Sequence, residues 1–222
     1  MGYRLDFGAL LQYLSLFLQG TAVTVGLTAV AATLGIALSI GGAAAAGSRL
    51  AWARALIGAY VELIRNTPFI VQMFFVFFGL PSLGLRLSAI EAAVLAMTIN
   101  LTAYAIEIVR AGIEAVPKGQ GETGLALGLM PGLVFLLVVL PQALANVYPA
   151  LVSQIIITML ESAVVSQIAV VDLTHVADFI QSRNFRAFET YLVVTVIYLL
   201  LTILLRRLLG RAGRRLFAGR VR

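Results

Sequence analysis

The sequence predicts an all-α membrane protein with about five transmembrane helices. Three observations carry that prediction. Hydrophobic residues make up 61% of the 222 positions, and the mean hydropathy is +1.00, well above a soluble globular domain. Uncharged stretches run through residues 7–48, 66–85, 92–106, 123–160 and 190–205. A hydrocarbon core of roughly 30 Å takes about 20 apolar residues of helix, so these runs supply about five spans. They are continuously apolar, whereas a membrane strand alternates over about ten residues, so helices are implied rather than a barrel.

The chain reads as one transmembrane domain over 1–222, with spans near 21–47, 55–80, 88–113, 133–160 and 188–209 and a short half-span over 162–172. The first uncharged stretch exceeds one span, so Phe7–Gly20 is expected to form an interfacial helix leading into the first. The leader "MGYRLDF" sets one Arg against one Asp, and the apolar region is too long for a secretory signal, so no cleavage is expected. The small-residue run Gly41–Gly47 should pack against protein if it lies at membrane depth. In the second span Pro68 removes an amide and predicts a kink, with free carbonyls near Asn66 and Thr67.

Orientation follows from the basic residues. "RRLLGRAGRRLFAGRVR" places seven arginines directly after the last span. With that end in the cytoplasm, Arg49, Arg54 and Lys118 fall on the same side. Ten basic residues are then inside, against four outside (Arg4, Arg86, Arg183 and Arg186), as the positive-inside bias requires. The N-terminus is accordingly external, which in a bacterium means periplasmic. The net charge of +6 is explained by this topology signal, and no nucleic-acid partner is expected. With no cysteine in the chain, disulfides and thiolate metal sites are excluded. His175, the single histidine, sits beside Asp172 in an external loop, where a structural or solvated role is favoured over metal ligation.

One segment does not suit an oily chain. "VPKGQGETGLALG", residues 116–128 within a polar loop over 116–132, holds Lys118, Glu122 and four glycines. Pro117 suits a first helical turn, Glu122 the positive end of a short helix, and Gly128 its left-handed stop. Leu125, Ala126 and Leu127 form an apolar knob suited to a partner's groove. Taken alone, these residues leave a docking helix and a plain connecting loop equally open. No GxxxxGK[ST] loop occurs, and a lone histidine cannot build a Ser/His/Asp set.

This segment, followed by "VVLPQAL" (Val138–Leu144), resembles the cytoplasmic coupling loop, or EAA loop, of ABC-transporter permeases. The version with P-K-G-Q before it and L-P-Q-A-L after it is similar to the polar amino-acid permeases of binding-protein-dependent importers. "GTAVTVGLT" (Gly20–Thr28), "AYVELIRNTPFIVQMFFVFFGLP" (Ala59–Pro81), "AYAIEIVRAGIEAVPKGQ" (Ala103–Gln120) and "NFRAFETYLVV" (Asn184–Val194) fall in that family's order. The resemblance implies a type I importer permease in a bacterial inner membrane. Its short coupling helix would seat Lys118, Gly119, Glu122, Leu125 and Gly128 in a cleft of a cytoplasmic ATP-binding dimer. It also implies a second permease subunit, an external amino-acid-binding protein and a small polar amino acid as cargo. ATP would be bound by the partner, so no cofactor is expected on this chain. Two departures stand out. E-A-A reads Glu122-Thr123-Gly124, adding a glycine that costs about 1 kcal/mol relative to alanine. Met130-Pro131-Gly132 and Leu136-Leu137 replace basic residues after the motif, so the ATPase contact should be less electrostatic.

Ionisable groups at membrane depth are functional candidates by default. Glu62 and Arg65, and Glu107 and Arg110, are spaced i,i+3, and Arg110 meets Glu114 at i,i+4, so each acid can be neutralised locally. Asn100, Tyr104 and Glu107 lie on one stripe of the third span. Ser153, Gln154, Glu161 and Ser162 interrupt the fourth apolar region, and Glu161 has no basic residue within four positions. The resemblance implies that Gln154 and Glu161 line a substrate cavity, with Ser162, Asn100, Tyr104 and Glu107 as further candidates. An ammonium would suit Glu161, and a carboxylate the amide and hydroxyl donors. A stand-alone channel or secondary carrier is the competing function, although no inverted repeat is visible. A membrane enzyme lacks a catalytic set.

Overall fold

A computed structural model describes residues 5–218. Arg4, Arg220 and Arg222, which entered the count of basic residues, lie outside the described residues. Among those described, all regular structure is helical: α1 (Gly8–Ala46), α2 (Ala51–Arg65), α3 (Phe69–Ser82), α4 (Ala89–Glu114), α5 (Lys118–Ala126), α6 (Pro131–Ile168), α7 (Leu173–Asn184) and α8 (Ala187–Leu216). α1, α4, α6 and α8 are each long and apolar enough to cross a membrane, and α2 with α3 makes a fifth candidate as a broken span.

α1 differs from the expected interfacial helix plus span. A 3₁₀ stretch over Gly8–Tyr13 leads directly into one uninterrupted α-helix, Leu14–Ala46. No proline interrupts it, and several of its hydroxyls are satisfied within the helix. Thr21, Thr28 and Thr33 each donate to the carbonyl four residues earlier, at 2.7–2.8 Å, which satisfies polar side chains inside an apolar helix.

At Pro68 the expected kink is a full break. The proline ring disfavours helical geometry at the residue before it, so Thr67 drops out, Asn66 ends α2 and Pro68 caps α3. The freed Thr67 carbonyl accepts from Gln72 Nε2 at 2.9 Å, and the Asn66 amide donates to Glu62 O at 2.8 Å. Two other prolines are absorbed differently. α3 winds as a π-turn over Phe75–Gly79 just before Pro81, and α6 does so over Phe135–Val139 just before Pro141. The wider turn accommodates a ring that would otherwise meet the carbonyl four residues back.

The described residues form two compact units. One draws on the described part of Met1–Thr33 and on Thr67–Thr98 and Ile156–Leu205. Its apolar core gathers Leu27, Met73, Met97 and Val165, with a second cluster of Phe17, Leu173, Ile180 and Val194. Asp172 caps α7, accepting the His175 backbone N–H at 2.8 Å. His175 is thus engaged through its backbone, and among the described residues no cluster of three His, Cys, Asp or Glu could hold a metal. α7 sits hard against α1. A Cβ on Gly20 would stand 2.9 Å from Asp172 O and from Leu173 Cα, and one turn later Thr24 Oγ1 accepts the Leu173 N–H at 3.2 Å. Asp6, Arg186 and the fully buried Glu189 tie the start of α8 to the irregular segment before α1 through ion pairs of 2.9 and 3.6 Å.

The other unit draws on Leu34–Asn66, Ile99–Ile155 and the described part of Arg206–Arg222. Its core joins Ala43, Ala105, Val109 and Leu151. In the run Gly41–Gly47 the middle packs against protein, with Ala43 1% exposed and a Cβ on Gly42 only 2.5 Å from Ile106 Cδ1, while Gly41 and Gly47 are exposed. Small residues let helix backbones approach closely, the usual basis of helix packing in lipid.

Candidate functional site

α5 is a nine-residue helix, Lys118–Ala126, and its two ends explain why it forms. Pro117 precedes it with φ −57° and ψ 130°, a geometry that starts a helix without wasting an amide. Gly128 follows it at φ +81°. There the Leu129 N–H reaches Gly124 O at 3.2 Å and the Gly128 N–H reaches Leu125 O at 2.9 Å. These two bonds are the Schellman pattern, which satisfies carbonyls a helix end leaves open. Of the nine residues only Gly124 is buried. A Cβ there would lie 3.0 Å from Val134 Cγ2, so the glycine that replaces the expected alanine lets α5 lie close on α6. Lys118, Gly119, Glu122, Leu125 and Gly128 are all exposed, with Leu127 at 77% and Met130 at 68%. The result is a rigid, closed helix presenting an apolar edge beside Lys118 and Glu122.

In the same unit the candidates Tyr104 and Glu107 line a cavity of about 620 Å³ together with Arg54, Glu62, Arg65 and Arg110. Here the sequence spacing predicted only part of the pairing. Arg110 takes Glu107 bidentately, with both contacts at 3.1 Å, and reaches Glu114 at 2.7 Å. Arg65 crosses from α2 to meet Glu107 at 3.5 Å rather than Glu62 on its own helix, and its guanidinium stands 5.3 Å from the Tyr104 ring centroid. Partly exposed pairs are worth roughly 0.2–1 kcal/mol each. Their value here lies in holding four charges in one register and neutralising Glu107. A ligand ammonium would have to displace two guanidinium groups from that carboxylate. Sequence reasoning missed Arg54 and the cross-helix reach of Arg65, because spacing along one helix carries no signal for either.

The remaining candidates differ in access. Asn100 is 3% exposed and Gln154 7%. Ser162 is fully buried, and its hydroxyl donates to Met159 O at 2.7 Å, the start of the 3₁₀ stretch Ser162–Ile168. Glu161 stands immediately before this change of winding, half-buried, and no described basic residue forms an ion pair with it. Of the acids proposed to meet cargo, Glu107 is already neutralised and Glu161 is not.

A family model described as "Binding-protein-dependent transport system inner membrane component" matches residues 35–218. The arginine transport system permease protein ArtQ of Bacillus subtilis (strain 168) is 34% identical over 216 residues, covering 96% of this chain and 97% of that protein. The glutamine transport system permease protein GlnP of Escherichia coli (strain K12) is 36% identical over 217 residues, covering 96% and 98%. Among solved structures, an amino acid ABC transporter with histidines has a chain 38% identical, with a TM-score of 0.86 over 96% of this chain and all of that one. A chain of the inward-facing MetNI methionine ABC transporter, 20% identical with a TM-score of 0.74, shares the fold.

Proposed function

Because this chain belongs to the family of binding-protein-dependent transport system inner membrane components, we propose that it is a transmembrane subunit of an ATP-driven importer for a small polar amino acid. It is a multi-pass protein of the bacterial inner membrane. The observation that carries the mechanism is α5, a helix closed at both ends that buries one residue against its own chain and leaves most of the rest exposed.

In this reading α5 fills a cleft in a cytoplasmic ATPase dimer, with Leu125 and Leu127 as the apolar anchor and Lys118 and Glu122 at the rim. ATP is hydrolysed in that partner, and this chain performs no chemistry. A second permease subunit, identical or paralogous, completes the pathway, and an external binding protein delivers cargo. Glu161 supplies the negative charge for the cargo ammonium. Asn100, Gln154, Ser162, Tyr104 and Glu107 are the further residues proposed to meet cargo. The N-terminus is external and the C-terminus cytoplasmic, supported by the concentration of arginines after residue 205.

Pull-down from detergent after co-expression with the genomic ATPase, followed by uptake in proteoliposomes, tests the proposal. A stable complex and uptake that requires both ATP and the binding protein are expected. A chain that purifies alone and moves amino acid down or against a gradient without ATP is a carrier, and overturns it.

A further inference from the structure

The seam between α6 and the last turns of α8 holds a second cavity, about 760 Å³, to which transport assigns no role. Tyr148, Pro149 and Val152 of α6 and Phe217 after α8 give it apolar walls, and among the described residues Arg206 and Arg214 are the charged ones that line it. The walls are held firmly. Tyr148 donates its hydroxyl to Leu209 O at 2.8 Å and meets the Phe217 ring edge-on at 5.3 Å between centroids. The floor is open at Gly210, where an added Cβ would meet only Arg214 Nη1, at 4.0 Å. That contact also shows the Arg214 guanidinium folded back over the groove.

Position and charge identify the occupant. The apolar run of α8 ends at Leu205, and no acidic residue follows Glu189, so the groove straddles the depth at which acyl chains give way to headgroups. Basic pockets at that depth between transmembrane helices suit anionic lipid headgroups. A zwitterionic headgroup would bring an ammonium that no lining carboxylate could meet, whereas a phosphate without it needs only the two arginines. We propose that this groove is a binding site for an anionic phospholipid, with its phosphate between Arg206 and Arg214 and an acyl chain along Tyr148, Pro149 and Val152.

The test is native mass spectrometry of the assembled transporter, purified in micelles containing equal phosphatidylglycerol and phosphatidylcholine. Wild type should retain phosphatidylglycerol in preference. Arg206→Gln with Arg214→Gln should lower its retention about tenfold or more. Gly210→Leu should do the same with the charge unchanged, by filling the floor with a residue that favours helix over glycine. Arg211→Gln with Arg215→Gln, equal in charge but turned away from the cavity, should retain the lipid. No preference in wild type, or full retention in Gly210→Leu, overturns the site. So does a Gly210→Cys thiol that assembly with the ATPase or second permease shields from aqueous and lipid-soluble maleimides alike, since protein then fills the groove.

Discussion

At Gly128 the demand is on the backbone alone. Its φ of +81° is unfavourable for any L side chain, yet a Cβ there would touch nothing within 4 Å. Gly128→Val should therefore cost roughly 1–2 kcal/mol of local strain without a clash. We expect it to open the end of α5 and abolish ATP-driven uptake while the chain still inserts. Gly128→Asn, which tolerates the left-handed region better, should keep a measurable part of the uptake. Equal loss in both variants would show that the turn itself is not what matters. Glu161 poses the opposite problem, a half-buried carboxylate with no described counter-charge. Such a group is costly unless a ligand or water meets it. Glu161→Gln should reduce amino-acid uptake tenfold or more, on the order of 1.4 kcal/mol, while ATP hydrolysis stimulated by the loaded binding protein falls less. Unchanged uptake kinetics would remove Glu161 from the pathway.

The elements show where a sequence is readable and where it is not. The ends of α5 were legible in Pro117 and Gly128, which are local signals, but the residues alone left helix and plain loop equally open. Pro68 was legible as a disturbance but not as a break, since the Gln72 side chain that satisfies the Thr67 carbonyl is a tertiary choice. Pro81 and Pro141 each follow a five-residue π-turn, in "FVFFGLP" and "FLLVVLP", and apolar periodicity cannot reveal a local change of winding. The join of α1 to its 3₁₀ lead was missed because length alone cannot tell one long helix from two. Among the candidate site residues, exposure of the α5 set followed from local signals, whereas the Arg65–Glu107 pair joins two helices and left no trace in spacing. The contact of α7 with α1 is likewise tertiary, and it has a sharp test. Gly20→Ala would put a Cβ 2.9 Å from backbone atoms, so overpacking should cost about 1–3 kcal/mol. The purified variant should melt at lower temperature than wild type, and an unaltered melting temperature would mean that the helices can separate freely there.

For the whole molecule the decisive property is the uneven distribution of arginine. A reporter active only in the cytoplasm, fused after Arg222, should give signal, and one inserted after Gly84 should give none, because the positive-inside bias places those ends on opposite sides. Signal at Gly84 would reverse the topology. A consequence also follows from the way α5 is built. Its ends are set by Pro117 and Gly128 outside the helix and its seat by Gly124 beneath it, so the exposed Lys118, Glu122 and Leu125 are not what closes it. On the proposed docking of α5 in the ATPase, those positions set the fit to the motor while the frame around them stays the same. Residues 118–127 would then act as an interchangeable plug. Exchanging the exposed side chains of that stretch between two importers, with Gly124 retained, should redirect the membrane subunit to the other system's motor without rebuilding the pore.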